Sequence, residues 1–175
     1  MRRFSLVVFD MDGVLVDSTP CHAQAYRELW AHLGVDGPPY QAIAGRATDA
    51  VVAEYAAPLA PTEAQLQEWV RFKQTAARRC LGSGLAPFPD AAAAVGRLHA
   101  RGIRLALGTG ASRATTALIM AGIGLQPFFP VMVTSEDVAR GKPAPDIFAA
   151  AIRQSAGAPE ETLIIEDSLA GLRAA

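Results

Sequence analysis

Residues 4–9, Phe-Ser-Leu-Val-Val-Phe, form a short, almost unbroken apolar run rich in β-branched and aromatic residues. That pattern predicts a strand covered on both faces. It stops at the acidic Asp10. Residues 103–109, 131–134 and 162–165 repeat it, each followed by polar or Gly-containing residues. Between these runs lie helical signals. Residues 89–100 are Ala-rich and close at Gly102, Ser112 can cap a helix running to Gly122, and Pro145-Asp146 opens one that ends near Gly157. Alternating strand and helix predict an α/β fold with a doubly wound, Rossmann-like parallel sheet, whose ligands sit outside the carboxyl ends of the strands.

One stretch, from about Pro20 to Leu85, breaks the alternation and holds only helical periodicity. Ala23, Tyr26, Trp30 and Leu33 recur at three- to four-residue spacing and give one apolar stripe. Pro38-Pro39 are expected to end that helix, and further helices are expected at residues 40–56 and 62–80, with Thr62 as a cap. The expected division is a sheet-bearing core from residues 1–16 and 86–175, with a helical unit of residues 17–85 inserted after the first strand. Residues 14–19 and 82–88 would link the two.

At 175 residues and 51% hydrophobic, the chain is too apolar to stay disordered and has length for one core, or one core with a small insert. Basic residues number 16 and acidic 17, a formal net charge of −1, so no global field recruits nucleic acid or an anionic membrane. Any bound anion must be held locally. Of the basic residues only Lys73 and Lys142 are lysines, so each draws attention. Cys21 and Cys80 are too few for a disulfide framework, which fits a reducing compartment. Met1-Arg2-Arg3-Phe4 resembles the start of an export signal, but Asp10 and Asp12 cut the apolar run short and it reads as a strand. With no run near the roughly 20 apolar residues that span a bilayer, the expectation is a soluble, cytoplasmic protein.

Asp10 and Asp12 stand two apart where the first strand ends, so both project to one side. Such a pair needs a cation or a proton, and an oxygen-rich site of this kind suits Mg²⁺. A solvated Asp-Gly turn is the competing reading. Gly108-Thr109-Gly110-Ala111-Ser112 sets a hydroxyl and freely approachable backbone before a helix N-terminus, an arrangement that holds anions but also occurs as a plain capped loop. Lys142 lies between Gly141 and Pro143 before another helix, and Glu166-Asp167 follows the last strand. Carboxylates, an ammonium, a hydroxyl and N–H donors at neighbouring strand ends are what phosphoryl transfer needs.

At these residues the sequence resembles the haloacid dehalogenase superfamily, in the subfamily of β-phosphoglucomutase and small sugar-phosphate phosphatases. Asp10-Met11-Asp12-Gly13-Val14-Leu15 is similar to its first motif, Thr109 to the second, Lys142 in Gly-Lys-Pro-Ala-Pro-Asp-Ile-Phe to the third, and Glu166-Asp167-Ser168-Leu169-Ala170-Gly171 to the fourth. The resemblance implies Asp10 as nucleophile and Asp12 as general acid and base. It implies Asp10, the Asp12 backbone carbonyl and Asp167 as Mg²⁺ ligands supported by Glu166, with Thr109 and Lys142 holding the phosphoryl group. An acid at position 12 speaks against a dehalogenase, whose leaving group needs no proton.

The helical insert then resembles a cap that closes over the site, hinged at residues 14–19. His22 on its first helix and the loop Gly45-Arg46-Ala47-Thr48-Asp49 are implied substrate contacts, with Gly110 and Ala111 beside the second motif. Thr48 stands where the mutase carries an arginine for a distal phosphate, which favours a phosphatase over a mutase. Arg113 is a further candidate for a second anionic group. Family members continue into a fifth strand that this sequence lacks, so residues 162–165 are expected to form an open sheet edge. The implied function is a Mg²⁺-dependent phosphatase acting on a small phosphorylated metabolite, a sugar phosphate, as a monomer or weak dimer. The rivals are a phosphosugar mutase and an inactive phosphate-binding module. A receiver domain fits worse, since its acceptor Asp lies on a later strand and no helical insert follows its first.

Overall fold

The computed structural model describes residues 4–82 and 84–175; Met1-Arg2-Arg3 and Ser83 of the second linker lie outside the described residues. Four strands, β1 (Leu6–Phe9), β2 (Arg104–Gly108), β3 (Val131–Val133) and β4 (Thr162–Ile165), pair in parallel in the order β3-β2-β1-β4. Each apolar run of the sequence becomes one of these strands. Because side chains alternate across a strand, Val7 and Phe9 enter a core on one face, while Leu6 and Val8 enter a second core on the other. Helices α4 (Pro89–Ala100) and α5 (Arg113–Gly122) supply the first face, and α6 (Asp146–Gln154) and α7 (Leu169–Ala174) the second. Ser112 caps α5 through its side chain, which accepts from the Thr115 N–H. Strand β1 sits centrally, where the chain order reverses direction across the sheet, and β4 is an edge of the described sheet.

Between β1 and α4 run α1 (Thr19–Leu33), α2 (Thr48–Tyr55) and α3 (Glu63–Leu81), packed on a separate apolar cluster that includes Tyr26, Leu29, Trp30, Ile43, Val51 and Val52. Thr62 caps α3 in a reciprocal capping box with Gln65. Two expected boundaries shift. Helix α1 stops at Leu33 because Gly34 takes a left-handed conformation (φ 65°), four residues before Pro38. The helix expected over residues 40–56 is instead a 3₁₀ turn at Tyr40–Ala42, an irregular loop, and then α2. Gly45 in that loop has φ 78°, which no helix accommodates.

The connections on either side of these helices run together. The Phe88 N–H donates to the Leu15 carbonyl at 2.9 Å, and Val16 bridges to Pro87. Just beyond, Cys21 of α1 and Cys80 of α3 form a disulfide, a pairing that the cysteine count did not anticipate. No helix among the described residues is long and apolar enough to cross a membrane.

Candidate active site

Sheet register assembles the site. Phe9 stands opposite both Leu107 and Ile165, so the segments after β1, β2 and β4 emerge side by side at the carboxyl edge. The Asp10 N–H donates to the Ile165 carbonyl and the Thr109 N–H to the Val133 carbonyl, each at 2.9 Å. Asp10 is 2% exposed and Thr109 fully buried. Lys142, just before α6, is buried beside them. Its ammonium donates to Asp10 Oδ1 at 2.8 Å and Glu166 Oε2 at 2.6 Å, and lies 4.7 Å from the centre of the Phe148 ring. The Lys142–Pro143 peptide is cis.

Burial pushes the Asp10 carboxyl up to about 7; Lys142 pulls it back, and Glu166 and Asp12 add to the rise. Burial alone would lower Lys142, but the carboxylates of Asp10 and Glu166 outweigh it and hold the ammonium charged. Glu166 is fixed from its other oxygen, Oε1, which accepts from the Ser168 N–H at 3.0 Å and hydroxyl at 2.6 Å.

Asp10, Glu166 and Asp167 each offer an oxygen within 4.8 Å of the others. Partial desolvation and the neighbouring Glu166 raise the Asp167 carboxyl above its usual range, although the residue as a whole is exposed. Three carboxylates sharing one ammonium leave excess negative charge, and an all-oxygen donor set matches a hard divalent cation such as Mg²⁺. Gly13, at φ 82°, makes the approach possible, since a Cβ there would overlap the Asp167 carboxylate. The residues present therefore fit the metal that the sequence implied.

The Asp12 side chain turns away from this group toward the helical insert. It accepts from the Ser18 hydroxyl, and its Oδ1 lies 3.4 Å from His22 Nε2. Burial would raise Asp12, yet His22, Ser18 and Lys73 outweigh it and keep the carboxyl ionised. His22 Nδ1 lies 3.1 Å from Lys73 Nζ, which is 4.3 Å from the Tyr26 ring centre and 3.5 Å from Thr48 Oγ1. Lys73 is 4% exposed, and burial pushes its ammonium down to about 8. Tyr40 stacks on the other side of the group, its ring 6.2 Å from that of His22.

These residues line a cavity of about 30 Å³ with Gly45, Arg46, Gly110 and Ala111, so the insert lies closed over the sheet edge. His22, Gly45, Arg46, Thr48, Gly110 and Ala111, the substrate contacts expected from the sequence, thus line one cavity with Asp12. Arg46 reaches the wall with its guanidinium paired to Glu54. Arg113 is not brought in: it is exposed and pairs with Asp137 and Glu136. Sequence reasoning missed Lys73, Tyr26, Tyr40 and Ser18 as members. Only the rarity of lysine pointed to Lys73.

Residues 4–175 match the family model for haloacid dehalogenase-like hydrolases. The chain belongs to that family. Among its relatives is the fructose-1-phosphate phosphatase YqaB of Escherichia coli (strain K12), 30% identical over 99% of this chain and 92% of that protein. The phosphorylated carbohydrates phosphatase of Thermotoga maritima is 28% identical over 97% of this hydrolase and 79% of its own length. The crystal structure of CbbY from Rhodobacter sphaeroides in complex with xylulose-(1,5)bisphosphate superposes with a TM-score of 0.84, at 27% identity, covering 98% of this chain and 81% of that one.

Proposed function

We propose that this hydrolase is a Mg²⁺-dependent phosphatase that cleaves a sugar phosphate through an aspartyl-phosphate on Asp10. The observation that carries the reading is the placement of Asp10: buried, clamped by Lys142 on one oxygen, beside a metal-fitting carboxylate group, and two residues before the ionised Asp12, which lines the cavity. The names of its relatives, phosphatases of fructose 1-phosphate and of phosphorylated carbohydrates, support a sugar phosphate as substrate.

A carboxylate oxygen of Asp10 attacks phosphorus, the bond to the sugar oxygen breaks, and the phosphoryl group stays on Asp10. Lys142, Thr109 and the N–H groups after β2 face the phosphoryl oxygens and offset the charge that builds on them. Asp10, the Asp12 carbonyl and Asp167, with Glu166 behind, would hold Mg²⁺, which when bound would offset the negative charge of the attacking carboxylate and the phosphoryl group. The leaving oxygen needs a proton from Asp12, which rests ionised. His22 Nε2 at 3.4 Å, backed by Lys73, is the neighbour through which that proton reaches Asp12. In the second step Asp12 takes a proton from water as the water attacks the phosphoenzyme, and inorganic phosphate leaves.

Residues 17–85 act as the cap in this reading. A cavity of about 30 Å³ is narrow for a sugar phosphate, which fits a cap that opens to admit substrate and release product. With Thr48 at the cavity wall and Arg46 tied to Glu54, the described cavity lining offers no unpaired guanidinium for a distal phosphate, which favours hydrolysis over a mutase cycle. A monomer or weak dimer belongs to the same proposal. The test is phosphate release from an aryl phosphate and a panel of sugar phosphates. Release must need Mg²⁺, vanish in Asp10→Asn and be fastest on a sugar phosphate; isomerised product without free phosphate would favour the mutase.

A further inference from the structure

The disulfide joins residues 59 apart in sequence, with Cα atoms 5.5 Å apart. Cys21 lies in the first turn of α1, one residue before His22, and Cys80 in the last turn of α3. Lys73 stands seven residues, about two helical turns, before Cys80 and so on the same face of α3. The bond therefore ties the end of α1 that carries His22 to the end of α3, about two turns beyond Lys73, whose Nζ lies 3.1 Å from His22 Nδ1. It also lies where both connections to the sheet run side by side through the Leu15–Phe88 and Val16–Pro87 contacts. Cys80 is half-buried and is the more accessible of the pair, since Cys21 is only 7% exposed. Cys21 occupies the first turn of a 15-residue helix, whose N–H dipoles stabilise a thiolate there.

We infer that Cys21–Cys80 is a redox latch on the cap: oxidised, it holds His22 and Lys73 in their working arrangement beside Asp12, and its reduction by a dithiol lowers turnover. The effect on turnover rests on the phosphatase reading; the redox chemistry does not. In the reducing direction a thiolate of the dithiol attacks Cys80 Sγ, the S–S bond breaks, and Cys21 leaves as a thiolate and takes up a proton. The second thiol of the dithiol resolves the mixed disulfide and releases Cys80, so two electrons pass from dithiol to protein. Reoxidation reverses this with a small-molecule disulfide as oxidant.

The test uses the full chain prepared without reductant, the same chain after dithiothreitol, and the double variant Cys21→Ser/Cys80→Ser. Alkylation under denaturing conditions should label no thiols in the first and two in the second. Turnover of a sugar phosphate should fall about threefold or more on reduction and recover with oxidised glutathione, while the double variant stays at the lower value whatever the redox state. The oxidised form should also unfold roughly 10 °C higher, as expected for closing a loop of this length. Two free thiols in the unreduced chain, or equal turnover in both forms, would overturn the latch. If neither form releases phosphate, the phosphatase reading fails. The latch is then judged by hydrogen exchange in the first turn of α1, which must be slower when oxidised; equal exchange overturns it.

Discussion

Lys73 is a buried ammonium with no carboxylate within ion-pair distance among the described residues. Folding must desolvate it, so its pKa falls from an unfolded value of about 10.4 to about 8 in the folded chain. Between those two values the unfolded chain binds more protons, and stability rises as the pH rises through the window. Lys73→Met removes that cost. It should be about 2 kcal/mol more stable to urea at pH 7 and should lose the pH dependence between about 8 and 10. The same substitution should slow sugar-phosphate turnover, because His22 loses its partner. Asp10, Thr109, Lys142 and Glu166 were legible in the sequence because strand ends and Gly- or Pro-flanked loops announce them locally. The His22–Lys73 contact was not, since it spans 51 residues and exists only once α1 packs on α3. Arg113 shows the converse: its place before α5 was legible, but its pairing with Glu136 and Asp137, 23 and 24 residues on, was not.

At the scale of elements, apolar runs marked all four strands to within two residues, because buried parallel strands leave little freedom in composition. The insert was harder to read. Gly34 and Gly45 adopt positive φ and decide where its helices stop, and a lone glycine within an apolar pattern does not reveal its conformation. The loop at residues 43–47 lies against the segments that follow the strands, Gly45 beside Gly110 and Ser168 and Ala47 beside Gly141. A Cβ on Gly110 would lie 2.7 Å from the Gly45 carbonyl oxygen, which is backbone and cannot yield easily. Gly110→Ala should therefore hold the cap partly open while leaving the sheet intact. Steady-state kinetics should show kcat/KM for a sugar phosphate down about tenfold, with the thermal midpoint nearly unchanged. Unchanged kinetics would show that closure does not use this contact.

Across the whole molecule, parallel register and charge act together. Strand pairing brings Asp10 and Glu166 level at one edge, Asp167 follows, and among the described residues the ammonium of Lys142 pairs with Asp10 and Glu166 to offset the repulsion. A divalent cation that binds the folded chain and not the unfolded one must stabilise it by mass action. Mg²⁺ in the millimolar range should raise the thermal midpoint, and Asp167→Asn should abolish the rise without unfolding the protein, since Asp167 is exposed. The disulfide was invisible at this scale in the sequence, because a cysteine count says nothing of which helices meet. The measurement that bears most directly on the account is intact-protein mass spectrometry during turnover of a sugar phosphate, quenched in acid. The account predicts a transient adduct of one phosphoryl group that maps to Asp10 and is absent in Asp10→Asn. Phosphate release without any adduct, and undiminished in Asp10→Asn, would contradict it.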